Sequence, residues 1–131
     1  MPNHNVKPSA VPLVCIVDDD ASMANSTRFL VGSFGYRAQA FSSAQEFLDS
    51  GLVAETSCLI LILDLRMPGM DGLELQRNLA SANRRVPIIF ISGRANEEEQ
   101  VQAIAEGAVA FLTKPFSEDE LFSAIRAALN R

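Results

Sequence analysis

Five short apolar runs alternate with longer amphipathic stretches along this chain, and they predict its strands. The runs comprise residues 13–18, 36–41, 58–64, 86–91 and 108–113. The first, third and fourth runs are apolar almost throughout, which is typical of parallel strands buried on both faces. The second run alternates between polar and apolar residues, which is typical of a strand at the edge of a sheet.

Five helices are predicted between and after these runs. Residues 21–34 carry apolar side chains at helical spacing, and residues 72–82 fit a further helix. Three capping boxes, each a polar residue followed three positions later by glutamate, begin the other helices at Ser43, Asn96 and Ser117. Alternating strands and helices with short links predict right-handed crossovers and one α/β domain, a doubly wound, five-stranded parallel sheet flanked by five helices.

Length and charge exclude several classes of protein. A chain of 131 residues fits one domain; the polar residues 1–11 predict a disordered lead-in, and residues 12–131 predict the folded part. A net charge of −5 argues against nonspecific binding to nucleic acid or anionic membranes. No apolar run has the length of a membrane span or the form of a signal peptide. We therefore expect a cytoplasmic protein that contacts neither membranes nor nucleic acid through this domain.

The cysteines and the single histidine exclude two kinds of site. Cys15 and Cys58 lie within apolar runs and are offset by about 10 Å if the two strands pair with matching ends, too far for a disulfide. They are predicted to be buried free thiols. Because His4 is the only histidine and lies in the lead-in, a zinc site or a histidine-dependent triad within the domain is excluded.

Polar side chains follow four of the predicted strands. Three aspartates, residues 18–20, follow the first strand, Asp64 ends the third, Ser92 follows the fourth and Lys114 follows the fifth. Ligands of doubly wound sheets bind at the carboxyl ends of the strands. We therefore expect these side chains to converge on one site.

The residue types at this site suit phosphoryl transfer. Clustered carboxylates provide the oxygen ligands that Mg²⁺ prefers, and the cation would offset the repulsion between them. The ammonium of Lys114 and the hydroxyl of Ser92 can contact phosphoryl oxygens, while an aspartate attacks phosphorus. Any phosphohistidine donor must come from another protein, since His4 is in the lead-in.

Four motifs give the chain a resemblance to a known family. "VDDD", "LDLRMPGMDG", "FISG" and "FLTKPF", in this order, resemble the receiver domain of two-component response regulators, and the resemblance covers residues 12–130. It implies a flavodoxin-like sheet with strand order 2-1-3-4-5. It also implies that a sensor histidine kinase phosphorylates the chain.

The resemblance assigns roles to residues of the acidic pocket. Asp64 corresponds to the phosphoacceptor, and Asp19 to the direct Mg²⁺ ligand. Asp18 would reach the metal through water, and the backbone carbonyl of Arg66 would complete the protein ligands. Asp20 is either an outer residue of the metal site or a helix N-terminal residue.

The resemblance also assigns a switch. Ser92 occupies the switch hydroxyl position and Phe111 the switch aromatic position, although Phe111 could equally be an ordinary core residue. Lys114 is the lysine of the motif, and its bond to Pro115 is expected to be cis. Phosphorylation is expected to change the face formed by the fourth helix, the fifth strand and the fifth helix, which would bind an output partner or a second receiver.

Two arginines near the pocket are predicted to tune the lifetime of the phosphoryl group. Arg66 lies two residues after Asp64 and Arg94 two residues after Ser92. We expect their guanidinium groups to cover the path of attacking water, so that replacing both with alanine shortens the lifetime several-fold. In the alternative, Arg94 pairs with Glu97 or Glu98 in a surface contact. The run of glutamates 97–99 is otherwise predicted to form a solvated first turn.

Two other functions remain open from the residues alone. A haloacid-dehalogenase-like phosphatase would use Asp18 as nucleophile and Asp20 as acid and base, but it leaves Asp64 without a role. A flavin-binding module needs a first loop rich in hydrogen-bond donors, and "DDDAS" is the opposite. Whether the chain stands alone or is a piece of a longer regulator is also open; its motifs favour a regulator with a helix-turn-helix DNA-binding output.

Overall fold

The domain is a five-stranded parallel sheet with helices on both faces, as seen in a computed structural model that describes residues 11–130. The strand order is β2-β1-β3-β4-β5. The strands are β1 (Leu13–Val17), β2 (Arg37–Phe41), β3 (Leu59–Asp64), β4 (Ile88–Ser92) and β5 (Ala110–Thr113). The helices are α1 (Ala21–Ser33), α2 (Ala44–Asp49), α3 (Leu52–Glu55), α4 (Gly72–Ser81), α5 (Glu97–Ala105) and α6 (Glu118–Leu129).

The predicted sheet and strand order are confirmed, and each strand lies within two residues of its predicted bounds. The predicted number of helices is wrong, because six rather than five are present among residues 11–130. The additional helix, α3, is a single turn that starts after Gly51 in the left-handed region (φ 74°) and has no side-chain cap. One turn is too short to produce a helical apolar pattern. With α3 counted, the face predicted to carry the output is α5–β5–α6.

Side-chain caps fix where the helices begin. The boxes predicted at Asn96 and Ser117 are reciprocal, and so is a third at Asp71. At Ser43 only half of the predicted box forms, because the carboxylate of Glu46 accepts from the backbone N–H of Ser42 instead. These caps satisfy amide groups that the first turn of a helix leaves without partners.

Apolar side chains of the central strands fill a core on each face of the sheet. β1, β3 and β4 are buried along their whole length, as their continuous apolar runs predicted. Cys15 and Cys58 are both free thiols. Cys15 is buried, but Cys58 is only half-buried, because β3 begins one residue after it.

The register of the strands brings their carboxyl ends to one edge of the sheet. Val17 pairs with Leu63, so Asp18 and Asp64 are adjacent, and Ser92 pairs with Thr113, directly before Lys114. The site predicted from the strand ends therefore has its residues at one edge. The lead-in predicted for residues 1–11 lies, apart from residue 11, outside the described residues. No helix in the range 11–130 has the length and hydropathy needed to cross a membrane.

Candidate functional site

Three carboxylates converge where β1 and β3 end. One carboxylate oxygen from each of Asp18, Asp19 and Asp64 lies within 4.8 Å of the other two. Asp18 is fully buried and Asp64 nearly so, whereas Asp19 is exposed. Buried carboxylates without a compensating charge are costly. This all-oxygen set fits a hard divalent cation and would not select a soft one.

The three consecutive aspartates, residues 18–20, have different structural roles. Asp18 Oδ1 accepts a hydrogen bond from the backbone N–H of Asp20 at 2.9 Å, which holds the turn after β1. The side chain of Asp20 turns to α1 and caps it, accepting from the backbone N–H of Met23 at 3.1 Å. Of the two roles open for Asp20, the structure therefore shows the helix N-terminal one. Only Asp18 and Asp19 join Asp64 in the carboxylate cluster.

Lys114 supplies the positive charge of the pocket. Its Nζ lies 3.2 Å from Oδ2 of Asp18 and 3.8 Å from Oδ1 of Asp64, and its side chain is only 20% exposed. The Lys114–Pro115 peptide bond is cis, as predicted. The ammonium group thus contacts both buried carboxylates at the edge of the sheet where β5 ends.

The pKa of Asp64 is raised from 3.8 to about 6. Burial is the main cause, and the neighbouring carboxylate of Asp18 adds to it. Lys114 and the backbone N–H of Arg66 act in the opposite direction but do not cancel the rise. Lys114 therefore does not fully compensate for the burial and mutual repulsion of the two carboxylates, and a bound cation would add the positive charge that lowers the pKa of Asp64.

Ser92 ends β4 at the pocket, and Phe111 lies on the neighbouring strand β5, three residues before Lys114. Ser92 is buried, and its hydroxyl accepts a hydrogen bond from the backbone N–H of Arg94 at 3.2 Å. The half-buried ring of Phe111 stacks on that of Phe90, with centroids 5.8 Å apart and an interplanar angle of 22°. Phe111 thus packs against the core. Movement of Ser92 would change its hydrogen bond with Arg94, and movement of Phe111 would break its stacking on Phe90.

Gly72 permits an approach that the sequence did not indicate. A Cβ at this first residue of α4 would lie 2.7 Å from the backbone oxygen of Asp64 and 2.9 Å from Cε1 of Phe90. The backbone N–H of Gly72 also donates to the carbonyl of Leu65 at 3.0 Å. Only glycine lets α4 begin this close to the end of β3.

Arg66 is engaged outside the pocket. Its Nη2 lies 2.6 Å from Oε1 of Glu99 in the first turn of α5. The expectation that the glutamates at 97–99 form only a solvated turn is therefore wrong for Glu99. Arg94 is exposed and forms no ion pair among residues 11–130, so its predicted pairing with Glu97 or Glu98 is not seen there.

The fold and the site together indicate the class of the protein. The chain is an α/β domain of this strand order, with a carboxylate cluster and a lysine at the carboxyl edge of the sheet. A family model described as "Response regulator receiver domain" matches residues 14–126. The chain therefore belongs to the receiver domains of two-component response regulators, which act as signalling switches.

Two curated regulators and one solved structure are similar to the chain. "Response regulator protein TmoT" of Ectopseudomonas mendocina is 48% identical over 117 residues, 89% of this chain and 52% of that protein. "Transcriptional regulatory protein FixJ" of Bradyrhizobium diazoefficiens is 36% identical over 118 residues, 90% of this chain and 57% of that protein. The crystal structure of FixJ-N matches with a TM-score of 0.84 at 34% identity, covering 92% of this chain and 94% of that one. The chain spans about half the length of these two curated relatives.

The geometry also weighs against the phosphatase alternative. That mechanism requires Asp18 to be an accessible nucleophile and Asp20 to face the substrate. Instead, Asp18 is fully buried, and Asp20 caps α1. The family assignment gives this alternative no support.

Proposed function

We propose that Asp64 accepts a phosphoryl group from a phosphohistidine of a sensor histidine kinase. The observation that carries the proposal is the convergence of three carboxylates and Lys114 where the buried strands end. Asp64 is the member of the cluster that contacts Lys114 and is still partly accessible, since Asp18 is fully buried. The domain acts as a switch that catalyses its own phosphorylation and dephosphorylation, and it is not a turnover enzyme.

A Mg²⁺ ion would be held by Asp19 and Asp64 directly, by Asp18 through water, and by the backbone carbonyl of Arg66. The ion would supply positive charge to phosphoryl oxygens and to the carboxylates. The raised pKa of Asp64 is consistent with this role, because its causes, burial and the neighbouring carboxylate of Asp18, are ones that a bound cation would offset. Because every proposed protein ligand is an oxygen atom, the site suits Mg²⁺ rather than a soft metal.

In the proposed step, a carboxylate oxygen of Asp64 attacks phosphorus and forms the new O–P bond. The N–P bond of the phosphohistidine breaks, and its electron pair stays on the imidazole nitrogen, which then takes a proton. The ammonium of Lys114, now 3.8 Å from Asp64, contacts an oxygen of the transferred group. The hydroxyl of Ser92 donates to another; in the structure its oxygen only accepts from the backbone N–H of Arg94, which leaves the O–H available as a donor.

Movement of Ser92 links the phosphoryl group to the surface. Ser92 ends β4 beside Thr113 of β5, and Phe111 lies on the same strand as Thr113. We propose that Phe111 turns inward as Ser92 moves and that the α5–β5–α6 face then binds an output partner or a second copy of the domain. The chain spans about half the length of its curated relatives, and FixJ is a transcriptional regulatory protein, which supports the proposal of a DNA-binding output.

The guanidinium groups of Arg66 and Arg94 are proposed to shield the phosphoryl group from water. Both follow strand ends of the pocket and are exposed. Arginine does not act as a base at ordinary pH but pairs well with phosphoryl oxygens. Replacing both by alanine is expected to shorten the lifetime of phospho-Asp64 several-fold.

The proposed acceptor is tested by incubating the protein with acetyl phosphate and Mg²⁺ and measuring intact mass. The wild-type chain should gain one phosphoryl group, and Asp64→Asn should gain none. Asp119→Asn, which makes the same change on the exposed first turn of α6, is the matched control and should behave as wild type. A phosphoryl group that persists on Asp64→Asn would contradict the proposal.

A further inference from the structure

The contact between Arg66 and Glu99 joins the loop after Asp64 to the first turn of α5. The two residues are 33 positions apart, and their side chains meet at 2.6 Å. Arg66 is 55% exposed at this contact but Glu99 only 21%. The same oxygen of Glu99 also accepts from the backbone N–H of Asn96 at 3.2 Å, so the contact sits on the capping box of α5.

Polar contacts rather than apolar packing hold α5 in place. Ala103 is its only buried residue. Near the other end of the helix, the amide of Gln76 donates to the carbonyl of Ala103 at 3.0 Å, and Arg77 pairs with Glu106 at 3.3 Å. At the first turn, within residues 11–130, Arg66 provides the one ion pair to α5. Different contacts therefore hold the first and the last turn of α5.

Arg66 is also positioned to serve the pocket. Its backbone N–H lies close enough to the Asp64 carboxylate to lower that group's pKa. Its guanidinium is carried on a long side chain with several rotatable bonds. A phosphoryl group on Asp64 would bring roughly two negative charges to that point near neutral pH. Glu99 offers a single one.

We infer that Glu99 is a positioning residue that holds Arg66 away from Asp64, and that phosphorylation transfers the Arg66 guanidinium from Glu99 to the phosphoryl oxygens. The transfer shields the phosphoryl group from water and removes the ion pair that holds the first turn of α5. The inference rests on the proposed phosphorylation of Asp64. It adds a partner for Arg66 in the unphosphorylated state and a route from the pocket to α5.

Glu99→Gln is the variant that isolates this contact. Glutamine at this position of a capping box can still accept from the backbone N–H of Asn96, so the start of α5 is preserved while the charge is removed. Glu98→Gln is the matched control, because it removes the same charge from the same turn. Glu98 makes no ion pair within the described part of the chain.

The measurement is the decay of phosphorylated protein after removal of acetyl phosphate, at fixed Mg²⁺. In this decay, water attacks phosphorus, the bond to Asp64 breaks, and inorganic phosphate leaves. Glu99→Gln should lengthen the lifetime by about two- to five-fold, as expected for loss of one competing surface ion pair. Glu98→Gln should leave it nearly unchanged. In an Arg66→Ala background the effect of Glu99→Gln should disappear, and in an Arg66→Lys background, which keeps a cation, part of it should return.

Two outcomes would overturn the inference. Equal effects of Glu98→Gln and Glu99→Gln would mean that general charge near the pocket, rather than this contact, sets the lifetime. Persistence of the Glu99→Gln effect in the Arg66→Ala background would mean that Glu99 acts on α5 and not through Arg66. Failure of the proposed function is distinguishable, since the wild-type chain would then not be phosphorylated at Asp64.

A second readout follows the guanidinium itself. The NMR resonance of the Arg66 side chain should shift when beryllofluoride, a phosphoryl mimic, is added with Mg²⁺, and it should start from a different position in Glu99→Gln. A resonance that beryllofluoride leaves unmoved would contradict the transfer even if the lifetimes changed.

Discussion

The centre of the sheet and its α5–β5 side are built differently. β1, β3 and β4 are buried along their length and end in the pocket residues Asp18, Asp64 and Ser92. β5 is only half-buried, and α5 leaves Val101 63% and Ile104 47% exposed. The strands that position the carboxylates and Ser92 are thus fixed by packing, whereas Lys114 follows the half-buried β5. The elements proposed to transmit the signal are held by fewer buried side chains and by polar contacts.

Because of this difference, we expect the pocket to be more rigid than the output face. A phosphoacceptor must keep its geometry, because misplaced reacting groups lose rate quickly. A surface that changes state needs two arrangements of similar free energy, which weak apolar packing allows. Since Ser92 and Phe111 lie on neighbouring strands across this boundary, they are placed to connect the two regions.

The largest expected effect compares isoleucines from the two regions. Ile62 in β3 is fully buried, so Ile62→Ala should lower the free energy of unfolding by about 2–5 kcal/mol through lost burial and a cavity. Ile104→Ala on α5 should change it by less than about 1 kcal/mol. Chemical denaturation of both variants provides the measurement. A loss of similar size at both positions would show that α5 is packed as firmly as the sheet.

The next effect tests the close approach of α4 to the pocket. Gly72→Ala places a Cβ against the Asp64 backbone oxygen, so it should destabilise the domain by about 1–3 kcal/mol and slow phosphorylation. Gly32→Ala in α1 is the control: its Cβ meets nothing within 4 Å, and alanine favours the helix by about 0.5–1 kcal/mol. Thermal unfolding and phosphorylation rates would be compared. Unchanged values for Gly72→Ala would refute the steric argument.

The third effect concerns the charge on Asp64. Because its pKa is about 6 in the folded chain and 3.8 ordinarily, its carboxyl destabilises the fold as pH rises from about 4 to 6. In metal-free buffer at pH 7, Asp64→Asn should therefore stabilise the domain by about 1–2 kcal/mol, less than the full shift implies, since screening by solvent reduces the effect.

The gain from Asp64→Asn should fall to nearly zero below pH 4, where the wild-type carboxyl is protonated in both states. Adding Mg²⁺ at pH 7 should stabilise the wild-type chain more than Asp64→Asn. Unfolding curves across pH, with and without Mg²⁺, test both statements. A gain that does not depend on pH would show that the substitution acts through packing rather than charge.

The sequence predicted the sheet and the site edge well because both depend on local patterns. Continuous apolar runs mark β1, β3 and β4, and parallel strands place the residues that follow them at one edge. Because Asp18 and Asp64 each stand at the end of an apolar run, the sequence also predicted correctly that they are adjacent. Assigning reaction roles to Asp64 and Lys114 depended on the family resemblance as well as on residue type.

The parts that could not be predicted depend on contacts between distant residues. Arg66 and Glu99 are 33 positions apart, and no periodicity links them. The steric demand on Gly72 exists only because α4 begins against the end of β3. The single turn of α3 carries no pattern, and the half-burial of Cys58 follows from where β3 begins. Each of these was missed or misjudged for lack of tertiary information.

Amide hydrogen exchange measured with and without beryllofluoride and Mg²⁺ tests the central claim most directly. The claim is that the buried strands hold the pocket while α5 and β5 respond to the phosphoryl group. Exchange in β1 and β3 should stay slow and change little, whereas amides in the first turn of α5 and in β5 should change their exchange rates clearly. Equal changes throughout the domain, or changes confined to the pocket loops with none in α5, would contradict it.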